Sequence, residues 1–299
     1  YNFLRIFSLP SRTIIIHARN APMRFCQEVE MLNFFLTFAL LSIPMLVHHI
    51  DARRKDLVIG LFLSLFFLGS AEPILCIVPF AAALFLFLNN LPRLAAVRSS
   101  LLVKNPAMPM FVVFLLSMTI FCALGVSFFN YGSFIGIDGE VIVLGEHWGN
   151  LALVLGPIWT GNRCDKKGPF STAVLLTLLS ELSVWIAVSG ENHQFLFVVG
   201  SFAVHLCISG FFTLMPIISA AFFGDIRFYR RYPLIALSAA VTWTAVRTLY
   251  LNRWADAYNP GNFLISLLIL TVISAIFVFV SWKRRFVVPR APGGRFDGD

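Results

Sequence analysis

The stretch that decides the fold reads Gly156-Pro-Ile-Trp-Thr-Gly-Asn-Arg-Cys-Asp-Lys-Lys-Gly-Pro169. An apolar run ends here, a compact charged turn follows between Gly161 and Gly168, and a second apolar run begins at Phe170. Two membrane helices joined by so short a turn must be antiparallel neighbours, and glycine allows both a tight turn and a close approach of helix ends. The basic side chains of the turn indicate that it lies on the cytoplasmic side of the membrane.

The composition predicts an all-α, polytopic membrane helical bundle. The chain has 299 residues, of which 58% are hydrophobic and only 13% are charged, whereas roughly a quarter of a soluble domain is charged. Several apolar runs reach the roughly 20 residues that a helix needs to cross a bilayer. The net charge of +8 comes from loops on one side of the membrane, so it does not indicate nucleic-acid binding. The 32 phenylalanines are expected to face mainly lipid.

A six-helix unit is predicted over residues 109–282. The loops on the side of the charged turn carry fourteen lysines and arginines, against one on the other side, which is a strong positive-inside asymmetry. Both ends of the unit are therefore expected in the cytoplasm, with a linker over 92–108 and a disordered tail over 283–299. The six predicted runs are 109–129, 147–162, 170–189, 195–222, 233–251 and 263–282.

Upstream of this unit, residues 31–91 are expected to add two or three further helices, which gives about 8–9 transmembrane helices in all. Residues 57–91 allow two interpretations, because the residue before a proline avoids helical geometry and Glu72 precedes a proline. They form either two short helices or one tilted, kinked helix. The charges of the loops do not decide between the two interpretations, because each of them leaves one basic segment on the outer side of the membrane. Residues 1–30 are predicted to form a loop.

The pattern Gly-x-x-x-Asp-Lys-x-Gly, formed by Gly161, Asp165, Lys166 and Gly168, resembles the motif of a major facilitator superfamily transporter half. Pro169-Phe170 stands where that family usually has a basic pair, so the match is partial. The segments Phe121-Cys-Ala-Leu-Gly125 and Phe228-Tyr-Arg-Arg-Tyr232 resemble the nodulin-like branch of that superfamily. The likeness is greatest to the forms found in kinetoplastid protozoa, which also place extra helices after a basic stretch like Ala21-Pro-Met-Arg-Phe25.

This resemblance implies that the chain is a C-terminal portion. The resemblance further implies that residues 1–30 are a cytoplasmic loop after a missing N-terminal half, and that residues 57–91 cross the membrane once. The resemblance also implies a conformational latch, in which Asp165 accepts hydrogen bonds or charge from a neighbouring helix end. The other residues of the expected latch are Gly161, Arg163, Lys166 and Gly168. The alternative is a basic turn that only fixes topology.

Ionisable residues inside membrane helices usually face a bundle interior or a water-filled path. Substrate or coupling candidates therefore include Glu181 and a stripe spaced by four residues, which places its members on one helix face. The stripe consists of Ser201, His205, Ser209 and Thr213. It is interpreted either as a cavity lining or as a set that includes a hydrogen-bonded histidine bridging two helices.

A second polar face on a later helix holds Thr244 and Arg247, which would suit an anionic substrate group, although the arginine could instead extend to the lipid headgroups. The resemblance favours His205 and Arg247 over Glu181 as substrate contacts. Asn130, at the end of the first helix of the unit, is a candidate gate at the outer mouth.

These features predict a secondary transporter that moves a small solute by alternating access, with His205 a candidate for proton coupling. The alternative is a non-transporting receptor or scaffold with a transporter-like fold. No catalytic motif, metal-ligand spacing or cofactor motif is seen in the sequence, so no enzyme activity, metal or cofactor is expected. The expected partners are the lipid bilayer and an unidentified small molecule. The protein is expected in the plasma membrane or an organelle membrane.

Overall fold

A computed structural model describes residues 43, 55–71, 81, 108–126, 128, 132, 136–190, 193–223, 225–253, 265–267, 269–274 and 276. Within these residues the chain is helical almost throughout and contains no strand. Six helices have defined bounds: α1 Lys55–Ala71, α2 Met108–Gly125, α3 Gly139–Lys167, α4 Pro169–Ser189, α5 Gln194–Phe223 and α6 Asp225–Arg253.

Three of the described helices are long and apolar enough to cross a membrane, namely α3, Pro169–Ile186 within α4, and α5. This confirms the prediction of an all-α membrane protein. The expected total of eight or nine crossings stays a prediction, because residues 31–42, 44–50, 72–80 and 82–107 lie outside the described part of the chain, as does most of 254–299.

Helix α3 is longer than predicted at both ends. The side chain of Asp138 accepts a hydrogen bond from the backbone N–H of Glu140 at 3.2 Å, and a side-chain acceptor at this position starts a helix. The helix therefore includes Glu140 and Glu146, which lie before the predicted run 147–162. At 1.5 Å per residue, the 29 residues of α3 extend about 44 Å, more than the roughly 30 Å of a hydrocarbon core.

The predicted charged turn is also mostly helical. Helix α3 continues to Lys167, and only Gly168 leaves the helical conformation, with φ 82°. Its N–H donates to the carbonyl oxygen of Cys164 at 2.8 Å, and Pro169 starts α4 in the position where proline is well tolerated. The turn is therefore a single glycine, and Gly161 serves helix packing instead of chain reversal.

Helix α6 begins at Asp225, earlier than the predicted residue 233. The apolar run begins only at residue 233, after the basic residues Arg230 and Arg231. The structure places Pro233 inside the helix, where membrane helices tolerate it better than soluble ones.

Helix α3 packs between α1 and α5. Contacts between α3 and α5 pair Gly145 with Ser201 and Ala152 with Ser209, so these two helices run parallel. Helix α4 lies antiparallel to α5, and α2 packs against α6 and α5.

The described phenylalanines form much of the core, and the expectation that they mainly face lipid is wrong for this part of the chain. Phe111 stacks on Phe222 with ring centroids 4.2 Å apart, and Phe128 stacks on Phe197 at 4.9 Å. All four side chains are at most 5% exposed. Large aromatic rings fill the space between helices that meet at small residues, so the same bundle uses glycine contacts and aromatic contacts side by side.

Candidate functional site

The end of α3 is joined to the start of α1 by the carboxylate of Asp165. The backbone N–H of Asp56 donates to Oδ1 at 3.3 Å, and the N–H of Leu57 donates to Oδ2 at 3.1 Å. The first N–H groups of a helix have no partner within the helix and carry partial positive charge. Asp165 therefore caps a helix that lies more than 100 residues earlier in the chain.

Small residues allow α1 and α3 to approach closely enough for this cap. A Cβ atom added at Gly161 would collide with the carbonyl oxygen of Asp56, and one added at Gly60 would collide with the carbonyl oxygen of Pro157. Further along, the hydroxyl of Ser64 donates to the carbonyl oxygen of Val154 at 2.8 Å. As the α1 number rises the α3 number falls, so the two helices are antiparallel along this contact.

The rest of the expected latch lies around the cap without joining it. The guanidinium carbon of Arg163 lies 5.9 Å from the centre of the Trp159 ring, a cation–π distance. The Nε atom of Arg163 is buried and has no hydrogen-bond partner. Lys166 and Lys167 are exposed in the last turn of α3, where cations are favoured by the helix dipole.

Asp56 places a second carboxyl group at the same helix start. The pKa of Asp56 is raised from 3.8 to about 6, mainly by burial and further by the charge of Asp165, while Lys55 opposes both effects. Asp56 precedes the apolar run that begins at Leu57. The helix start therefore has two carboxyl groups nearby. The carboxylate of Asp165 caps the helix, and ionisation of the Asp56 carboxyl group is disfavoured.

The polar stripe of α5 is buried in the contact with α3. The hydroxyl of Ser201 donates to the carbonyl oxygen of Gly145 at 3.0 Å, and that of Ser209 lies 3.3 Å from the carbonyl oxygen of Ala152. Nδ1 of His205 lies 2.8 Å from the carbonyl oxygen of Ser201. Ser201 and Ser209 therefore join α5 to α3, whereas this bond of His205 lies within α5.

Thr213 continues this stripe and bonds within α5, from its hydroxyl to the carbonyl oxygen of Ser209 at 3.1 Å. The structure does not bring the other candidates to it. Glu181 is half-buried on α4, and Thr244 is exposed on α6 with its hydroxyl on its own helix. Asn130 and the side chain of Arg247 lie outside the described residues.

Two features of the site were not predicted, namely the small-residue face of α1 and the role of Asp56. Their signal is present in the sequence, because Gly60 and Ser64 form a small-x-x-x-small pattern of the kind that lets membrane helices approach. Helix α3 repeats the pattern with Gly145 and Gly149 and again with Ala152 and Gly156, all buried. Among the described residues, no group of three His, Cys, Asp or Glu side chains could hold a metal ion.

No known protein-family model matches the chain, and no curated protein matches it at a significant level of sequence similarity.

Proposed function

We propose that the chain is part of a secondary transporter of the major facilitator type, which moves a small solute by alternating access. The observation that carries the proposal is the cap of Asp165 on the first turn of α1. In alternating access, two helical bundles rock about a midplane site, so one side of the membrane needs a contact that can close and reopen. The α1–α3 contact supplies one.

The strength of the cap suits such a contact. Removing a capping side chain costs about 0.5–2 kcal/mol, and a charge at a helix terminus contributes about 0.3–1 kcal/mol. An interaction of about 1–2 kcal/mol corresponds to roughly a 5- to 30-fold bias of an equilibrium. Because the cap is exposed, water can replace it when the helices separate. Such a contact favours the closed state without locking it.

The cap also bears on topology. Because α1 begins beside the end of α3, Lys55 lies on the same side of the membrane as Lys166 and Lys167. The linker 92–108 is assigned to that side by its own charge, so residues 55–91 cross the membrane an even number of times. We therefore replace the single crossing with two helices, the first of which, α1, ends at Ala71, directly before Glu72-Pro73. The proposal requires α1 to move with the bundle opposite the six-helix unit.

Coupling to protons is assigned to His205, because it is a titratable side chain buried in the middle of α5. Its position between α5 and α3 would let a change in charge alter the packing of the helix that carries Asp165. The His205→Ala variant is then expected to lose pH-dependent uptake, and uptake that keeps its pH dependence would remove His205 from the proposal.

Spin labels on α1 and α4 test whether the contact opens. Leu61 and Leu178 are 45% and 54% exposed, so cysteines at these positions accept labels without disturbing the core. We expect two distance populations in liposomes, and the Asp165→Asn variant should shift their ratio by about 2- to 5-fold, because it removes the charge of the cap.

The matched control is Glu140→Gln, which neutralises a carboxylate at the other end of α3 and should leave the populations unchanged. A receptor or scaffold predicts one distance population that neither variant alters. That result would reject alternating access at this contact.

A further inference from the structure

We propose that Asp56 makes the α1–α3 contact pH-sensitive, so that proton binding to its carboxyl group closes the contact and proton release opens it. This inference rests on the proposed function, because it requires a contact that opens and closes. It adds a regulatory group that the expected latch motif does not contain.

The geometry places two carboxyl groups at one helix start. An acidic residue in the first turn of a helix is normally stabilised by the free N–H groups and the helix dipole. In α1 the N–H groups of Asp56 and Leu57 are already used by Asp165. Gly161 lies directly against the backbone carbonyl oxygen of Asp56, so α3 covers one side of this residue, which is half-buried. Asp56 thus loses the surroundings that favour its ionised form.

The charged groups near Asp56 come from both helices. Asp165 of α3 opposes its ionisation, and Lys55 of α1 favours it. Arg163 and Cys164 of α3 lie in the same group of interacting side chains, since the thiol of Cys164 interacts electrostatically with Asp56, Asp165 and Arg163. The effects on the pKa of Asp56 therefore do not cancel, because burial and the charge of Asp165 together raise it by more than Lys55 lowers it.

The sign follows from the pKa of Asp56 in the two states. With the contact closed the pKa is about 6, against an ordinary value of 3.8 when the helix start is open to water. Closing the contact therefore takes up a proton between these two values. The contact is strongest at low pH, weakens as the pH rises from about 4 to about 6, and is insensitive to pH above that range. Between pH 7 and pH 5 we expect about a 10-fold gain in closure.

Cys164 provides a native reporter of the contact. Its side chain is 3% exposed and lies one residue before Asp165. In a chain whose other cysteines are replaced by serine, a maleimide should label Cys164 only when the contact opens. The labelling rate is divided by that of the Asp56→Asn variant at the same pH. This ratio cancels the intrinsic pH dependence of the thiol reaction.

We expect the intact chain in liposomes to be labelled at least 10-fold faster than its Asp56→Asn variant at pH 7. This ratio should fall about 10-fold by pH 5. A direct electrostatic effect of Asp56 on Cys164 would make the unaltered chain react more slowly than the variant, because a negative charge on Asp56 disfavours the reactive thiolate. Faster labelling of the unaltered chain therefore cannot come from that effect. The control Glu140→Gln should keep the full pH dependence.

A second variant keeps the test decisive if Asp56→Asn does not assemble. Asp165→Asn removes the like charge, so its labelling should be faster overall and less dependent on pH than that of the unaltered chain. A labelling ratio that is flat between pH 7 and pH 5 overturns the role of Asp56 and leaves the opening contact standing. If Cys164 is labelled in neither the unaltered chain nor Asp165→Asn, the opening contact fails as well.

Discussion

Substituting Gly156 by alanine tests the packing on which the fold depends. Gly156 lies in the middle of α3 against α5. An added Cβ would collide with Oγ of Ser209 and would lie 2.7 Å from the carbonyl oxygen of Leu206. The hydroxyl could rotate away, but the carbonyl belongs to the backbone of α5 and moves only with the helix. We therefore expect Gly156→Ala to push α3 and α5 apart.

The expected cost combines three effects. Forcing an extra methyl group into a packed contact costs about 1–3 kcal/mol. Separating the helices also weakens the hydrogen bonds from Ser201 to Gly145 and from Ser209 to Ala152, each worth about 0.6 kcal/mol in a membrane. Alanine regains about 0.5–1 kcal/mol because it is a better helix former than glycine. The net loss in the free energy of unfolding should be about 1–3 kcal/mol.

The assay is reversible unfolding of the purified protein in mixed micelles by increasing amounts of denaturing detergent, followed by tryptophan fluorescence. The matched control is Gly139→Ala, since a Cβ at that position meets nothing within 4 Å. This control should be neutral or slightly stabilised. If Gly156→Ala proves as stable as Gly139→Ala, the close contact of α3 with α5 is wrong.

Three further substitutions have defined outcomes. Gly161→Val places side-chain atoms against the backbone of Asp56 and should raise maleimide labelling of Cys164 several-fold, with Gly139→Val as the control. Ser201→Ala should lower the free energy of unfolding by about 0.6 kcal/mol, and an unchanged value would show that its bond to α3 contributes nothing. Thr160→Val should be neutral or stabilising, because the buried hydroxyl has no partner and a methyl group of similar shape needs none. A loss above about 1 kcal/mol would reveal a hidden partner.

The sequence predicts the long helices well, because runs of apolar residues as long as α4 and α5 have no other stable form in a bilayer. It predicts helix ends less well where a helix continues past the apolar core into polar sequence. Helix α3 shows this at both ends, since Asp138 caps it upstream and Gly168 ends it downstream. The charged residues that the sequence suggests are in a loop lie instead in helical turns that extend beyond the apolar segment.

The resemblance of the motif predicts that Asp165 accepts hydrogen bonds from a helix end, but it does not predict which helix. The start of α1 lies more than 100 residues away, and nothing local in either segment encodes their pairing. Only the small residues Gly60 and Gly161, taken together, indicate that these two helices can approach closely. The polar stripe of α5 was found by its spacing, whereas its burial against α3 depends on the glycines of the neighbouring helix.

The side of the membrane on which α1 begins can be measured directly. Three single-cysteine variants of an otherwise cysteine-free chain serve for this, Arg54→Cys before α1, Lys167→Cys at the end of α3, and Glu146→Cys near its start. A membrane-impermeant maleimide is applied to intact cells and then to permeabilised cells. Capping of α1 by Asp165 predicts that Arg54→Cys and Lys167→Cys react under the same condition and Glu146→Cys under the other. Labelling of Arg54→Cys and Lys167→Cys from opposite sides would contradict the cap and the antiparallel contact of α1 with α3.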